Sequence, residues 1–124
     1  MTSLPSFQSA FFLIGDEQGI TIARLTKPQL TEDENLEQLE QDLNALVETY
    51  QVRRLVLSLE RLNYLTSSAI GKLISLHRRM QRVDGRLILC AAGDDVRQIL
   101  DTAHLWTYFN VASNVEEAVL QLAS

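Results

Sequence analysis

Apolar and polar positions along the chain change period several times, and each change marks a candidate element. Phe11-Phe12-Leu13-Ile14 and Ile20-Thr21-Ile22-Ala23-Arg24-Leu25 are β-rich runs on either side of Gly15-Asp16-Glu17-Gln18-Gly19. Two such runs around a short, glycine-bounded turn predict an antiparallel hairpin, which Pro28 closes. Apolar residues then recur at helical spacing: Leu36, Leu39, Leu43, Leu46, Val47 and Tyr50. Thr31-Glu32-Asp33-Glu34 in front of them has the form of a capping box, Thr followed three residues on by Glu. Arg54 to Leu59 is mostly apolar and short, as a strand buried on both faces would be. The loop Glu60–Leu65 leads to Thr66-Ser67-Ser68, where a second helix is predicted to start and to run to about Arg82. Its apolar face comprises Ala69, Ile70, Leu73, Ile74, Leu76, His77 and Met80, and Asp84-Gly85 stops it.

The pattern continues with a buried strand over Leu87–Ala91, which completes a β-α-β unit with a right-handed crossover. Gly93-Asp94-Asp95 caps a third helix with Val96, Ile99, Leu100 and Ala103 inward. Trp106 to Val111 is assigned to a short edge strand, and Ser113-Asn114 to the cap of a last helix carrying Val115, Ala118, Val119 and Leu122. The order β-β-α-β-α-β-α-β-α predicts an α/β fold: a single mixed sheet of about four or five strands, with about four helices mainly on one face. Residues 1–10, with Pro5 and three serines, read as a loose lead-in, and residues 11–122 as one domain.

Size and composition agree with that reading. The chain has 124 residues, 46% of them hydrophobic and 22% charged, enough for one self-supporting core. A single cysteine, Cys90, cannot make an internal disulfide. No apolar run approaches the ~20 residues of a membrane span, and the N-terminus lacks the features of a signal peptide. The expected location is therefore the cytoplasm, without membrane insertion. The net charge of −5 argues against nucleic acid as a partner. Charge is also segregated. Seven carboxylates and no base lie between Glu32 and Glu48, and five bases and one acid between Lys72 and Arg86. Lys72, Arg78, Arg79 and Arg82 are expected on the solvent side of the second helix, where pairing with the acidic first helix is their simplest use.

Catalytic constellations are missing from the pattern. Gly71-Lys72 lies inside a helix without the upstream glycine of a phosphate loop, and no dinucleotide fingerprint follows a strand. His77 falls on an apolar helix face, His104 at a helix end, and Cys90 in a buried strand with no base beside it. We therefore expect no enzyme activity, no cofactor and no metal ligands. The informative stretch is Thr66-Ser67-Ser68, three hydroxyls at a helix N-terminus. Capping requires only one of them. A helix N-terminus also tolerates negative charge, so a phosphate on Ser67 or Ser68 could be accepted without unfolding the domain.

The segments Leu57-Ser58-Leu59, Leu62 to Gly71, Asp84 to Cys90 and Val96 to Leu105 together resemble the STAS family, which includes the anti-sigma factor antagonists and their stressosome and transporter relatives. The resemblance spans roughly residues 11 to 122. Antagonists of this kind carry Asp-Ser-Ser/Thr-Gly-Leu-Gly, and the serine after the aspartate is phosphorylated by a kinase that is also the anti-sigma factor. That serine falls on Ser67, with Ser68 as the alternative, and the Leu-Gly on Ile70-Gly71. Two positions depart from the pattern: Thr66 stands for the aspartate, as a helix cap, and Ala69 for the glycine. The resemblance implies a non-catalytic regulator that binds an anti-sigma factor/serine kinase when unmodified, leaves it on phosphorylation, and is reset by a phosphatase. The implied partner surface comprises Leu62, Asn63, Tyr64, Leu65, Ala69, Lys72 and Gly93. The alternative within the family is an unphosphorylated docking or scaffold subunit of a stressosome-like or transport complex. A small-ligand module lacks a glycine-rich cradle here. A response-regulator receiver would need an aspartate where the middle strand ends in Ser58-Leu59-Glu60.

Overall fold

The computed structural model describes residues 7–123. Strand β1 (Phe12–Glu17) pairs antiparallel with β2 (Ile20–Leu25). A two-residue ribbon strand, β3 (Gln29–Leu30), precedes helix α1 (Leu36–Glu48), and β4 (Arg54–Ser58) follows. A second ribbon strand, β5 (Tyr64–Leu65), leads directly into α2 (Ser67–Arg82). The remainder is β6 (Arg86–Cys90), α3 (Asp94–Thr102), β7 (Val111–Ala112) and α4 (Val115–Ala123). Five strands form one mixed sheet in the order β1-β2-β4-β6-β7, parallel except for the hairpin.

Alternation along the central strands divides the core in two. Leu55 and Leu57 of β4, and Leu87 and Leu89 of β6, point into a large cluster shared with α1, α2 and α3. Val56, Ile88 and Cys90 point the other way, onto Ala118, Val119 and Leu122 of α4. Because both sheet faces are covered, β4 and β6 read as continuous apolar runs rather than alternating ones. Helices α1 and α2 lie side by side and are cross-linked by Lys72–Glu40 (3.2 Å) and Arg79–Glu48 (2.7 Å), so the segregated charges do pair.

Several expectations need correction. The hairpin turn is Gln18-Gly19, both at positive φ as a tight two-residue turn requires, and Gly15 to Glu17 belong to β1. Thr31 does not cap α1. Its hydroxyl accepts from the Asp33 amide in a local turn, while Asn35 accepts from Gln38 N–H at 3.0 Å and starts the helix. Two short-side-chain acceptors compete for one helix start, and the one adjacent to the apolar stripe wins. The Trp106–Val111 segment is mostly turn, and only Val111–Ala112 pairs with β6. Ala103 is exposed rather than inward because α3 ends at Thr102. In the lead-in, residues 1–6 lie outside the described range, and 7–10 are tied down: Phe7 packs edge-on against Tyr50, and the Ser9 hydroxyl donates to Asp42.

Candidate functional site

The site is set by the β3–β5 ribbon, which the apolar pattern alone does not reveal. Leu30 pairs with Leu65, and Thr66 N–H donates to Leu30 O at 3.0 Å. Asn63 N–H donates to Pro28 O at 2.7 Å. These bonds bring the segment before α1 alongside the start of α2. Two residues per strand carry no readable period, and the pairing partner is more than thirty residues away.

Thr66 is the N-cap of α2, with extended backbone (φ −88°, ψ 170°) and its hydroxyl toward Ala69 N–H at 3.4 Å. The helix proper begins with Ser67, exposed, followed by Ser68, also exposed. Unlike α1, α3 and α4, α2 has no acidic residue in its own first turn. An acid arrives from elsewhere. Glu32, in the loop after β3, receives hydrogen bonds from its own backbone N–H, from the Ser68 hydroxyl and from the Thr66 hydroxyl, which together hold its carboxyl below the usual range.

Ser67 and Thr66 stand on the wall of an open cleft of about 870 Å³ between the start of α2 and the outer face of α3. The opposite wall is Asp95, Gln98, Ile99, Thr102 and Ala103, and Glu32, Asn63, Tyr64, Leu65 and Ile70 complete the lining. Tyr64 is 47% exposed, a large aromatic surface beside the exposed serine.

The other expected site residues divide by burial. Asn63 and Tyr64 are exposed on the cleft. Leu62 and Ala69 are buried and support this surface from beneath, whereas Leu65, also largely buried, reaches the cleft lining. Lys72 is held by Glu40 on the α1 side and does not line the cleft. Gly93 is exposed at the N-cap of α3, in the turn after β6, and likewise lies outside the lining. The α3 wall escaped the sequence reading, although positions 95, 98, 99, 102 and 103 form a helical stripe. Ile99 does pack against the core, half-buried, while also lining the cleft, and Ala103 looks like a core residue when only period is read.

The remaining reactive side chains are packed away from this site. Burial pushes the Cys90 thiol up to about 11 and lowers the pKa of His77, whose ring lies against Tyr108 and Phe109. Among the described residues no group of three His, Cys, Asp or Glu converges as a metal site, and no helix is long and apolar enough to cross a membrane.

A family model for the STAS domain matches residues 16–118. BtrV, a candidate anti-sigma factor antagonist of Bordetella bronchiseptica, is 34% identical over 84 residues, which are 68% of this chain and 72% of that protein. An anti-sigma-factor antagonist (STAS) domain protein of Planctomyces limnophilus superposes with a TM-score of 0.81 at 24% identity, covering 91% of this chain and 98% of the other. The phosphorylated form of the Bacillus cell fate determinant SpoIIAA superposes with a TM-score of 0.66 at 22% identity, covering 89% and 97%. At those identities the two structures bear on the fold. The family match and the BtrV alignment bear on ancestry, and by them this chain belongs to the STAS domain family, a family of non-enzymatic regulators, and has the fold of its anti-sigma factor antagonists.

Proposed function

We propose that the chain is a cytoplasmic antagonist that binds an anti-sigma factor with serine kinase activity while unmodified and releases it once Ser67 carries phosphate. The observation that carries this reading is the position of Ser67, exposed at the first residue of α2 and on the wall of the cleft beside Tyr64. A hydroxyl there is within reach of a kinase, and a phosphoryl group on it would sit at the positive end of the helix dipole without entering the core. The cost then falls on whatever occupies the cleft. Every ~1.4 kcal/mol lost at that contact weakens binding tenfold. A phosphatase would restore the unmodified surface. SpoIIAA, which shares the fold, exists in phosphorylated and unphosphorylated forms.

The test is phosphosite mapping by mass spectrometry on protein from growing and stressed native cells, together with recovery of bound proteins by the Ser67→Ala and Ser67→Asp variants. Condition-dependent phosphate on Ser67, and a partner kept by Ser67→Ala but lost at least about tenfold by Ser67→Asp, is the expected result. Thr66 and Ala69, which depart from the antagonist pattern, favour a second reading: an unmodified docking subunit of a larger assembly. That reading is supported instead if Ser67 never carries phosphate and Ser67→Asp retains its partner.

A further inference from the structure

Glu32 stands beside the two serines and is not assigned by the family pattern. It sits two residues beyond Leu30, whose pairing with Leu65 and bond to Thr66 N–H place it against the α2 N-terminus. From there it lines the same cleft wall as Thr66 and Ser67 and accepts hydrogen bonds from the Thr66 and Ser68 hydroxyls. It supplies the acid that α2 lacks in its own first turn, next to the position where Thr66 replaces the family aspartate.

We propose that Glu32 is a built-in anion at the phosphoacceptor site, and that a phosphoryl group on Ser67 or Ser68 displaces it, so that the loop between β3 and α1 changes with the modification state. The inference rests on the phosphoacceptor reading above and deepens it, because it identifies what inside the domain responds to the modification.

A phosphoserine carries ~−1.5 to −2 charge at pH 7 and seeks the free amides of the helix start and the Thr66 hydroxyl, the latter a donor that the Glu32 carboxylate already uses. Phosphorylating Ser68 also removes the donor itself. Two anions competing for one set of donors at this range repel, and the more weakly anchored segment yields. That segment is the loop. The first turn of α2 is held by Ile70 N–H to Thr66 O (2.9 Å) and by the buried side chains of Ala69 and Ile70. The loop is held by the Asp33 N–H bond to Thr31, the Glu34 N–H bond to Thr31 O, and a half-exposed bridge from Lys27 to Glu34 (3.4 Å). Displacement would shift Glu32 and Asp33, already exposed beside the cleft, so the partner would meet an altered surface as well as a phosphate. It also makes the two serines unequal. Ser68 is engaged with Glu32 in the unmodified chain, whereas Ser67 stands free on the cleft wall.

The experiment needs no kinase. Phosphoserine is inserted during translation at position 67 or at position 68 of the full chain, in the native sequence and in an E32Q background, and amide hydrogen exchange is followed by residue. The expected result is faster exchange over residues 31–35 by about tenfold in either phosphoserine protein, with the amides of α4 unchanged. In the E32Q background that acceleration is expected to disappear, since the uncharged amide does not repel a phosphate on either serine and its N–H group can donate to one. Unaltered exchange over 31–35, the same acceleration with and without the Glu32 charge, or a rise spread over the whole domain would each overturn the proposal. Because the phosphate is placed synthetically, absence of phosphorylation in cells would overturn the proposed function and leave this result standing.

Discussion

The end of α2 shows how finely single residues divide the work of a turn. Asp84 takes the left-handed conformation (φ 56°), and Gly85 N–H returns to Met80 O at 2.7 Å, closing the helix in a Schellman arrangement. The glycine is needed for space and not for its φ: a Cβ at Gly85 would meet Met80 Cε at 2.9 Å and the Arg53 carbonyl oxygen at 3.0 Å. The two neighbours should therefore respond with opposite signs. Asp84→Gly is expected to stabilise by about 0.5 kcal/mol and Gly85→Ala to destabilise by about 1–3 kcal/mol, read as shifts in the urea midpoint at constant m. His77 offers a pH test at the same scale. Burial lowers its folded pKa below the ordinary 6.5, and its Nδ1 has no hydrogen-bond partner. The unfolded chain then takes up the proton first, so this contribution is fully present above pH 6.5 and is lost progressively as pH falls from there through the lower folded pKa. Unfolding midpoints measured from pH 7.5 to 5 should fall more steeply in the native protein than in a His77→Leu variant. Parallel slopes would contradict the assignment.

At the scale of elements, pairing of α1 with α2 was foreshadowed by the segregation of acids and bases, and the pairs formed are Lys72–Glu40 and Arg79–Glu48. Their partners are substantially exposed, so solvent screening leaves each worth tenths of a kcal/mol. Lys72→Ala and Arg79→Ala should each cost less than ~1 kcal/mol, and the cost should shrink further in 1 M salt. The cap is a separate matter. Thr66→Ala removes an acceptor for Ala69 N–H and a donor to Glu32, and a loss of about 1 kcal/mol is expected, with Thr66→Ser largely neutral. Denaturation curves for the four variants separate the salt-sensitive contribution from the capping one. The helices, their apolar faces and three of the caps were legible because propensity and period act within a few residues. The start of α1 was misplaced, since Thr31 and Asn35 are both competent acceptors and only the packing of Leu39 and Leu43 selects between them.

For the molecule as a whole, the decisive feature is a sheet covered on both faces, three helices against one side and α4 against the other. Cys90 lies under α4 with its thiol raised to about 11 by burial, so it is uncharged and shielded at neutral pH. Labelling by an aromatic disulfide reagent at pH 8 should be slow and should accelerate with denaturant in step with unfolding. Rapid labelling in plain buffer would mean that α4 detaches on its own. The same architecture leaves the outer faces of α2 and α3 to form a cleft, and there the sequence reading was least complete. Asn63, Tyr64 and Ser67 were placed on a surface and do line it. Leu62, Leu65 and Ala69 were placed with them; Leu65 reaches the lining although largely buried, while adjacency in the chain put Leu62 and Ala69 on the buried side of the same turn.

By itself the sequence determined the class of fold, the helix faces, the doubly buried strands β4 and β6, and the hydroxyl cluster at a helix start, because each depends on neighbours within about one helical turn or one strand. Only the tertiary structure decided that β3 pairs with β5, that α3 supplies the second wall of the cleft, and that the acid at the start of α2 comes from Glu32. Those are contacts between segments some twenty-five or more residues apart, made by side chains whose local context fits several roles. What selects among the roles is the single three-dimensional arrangement that buries both sides of the sheet at once.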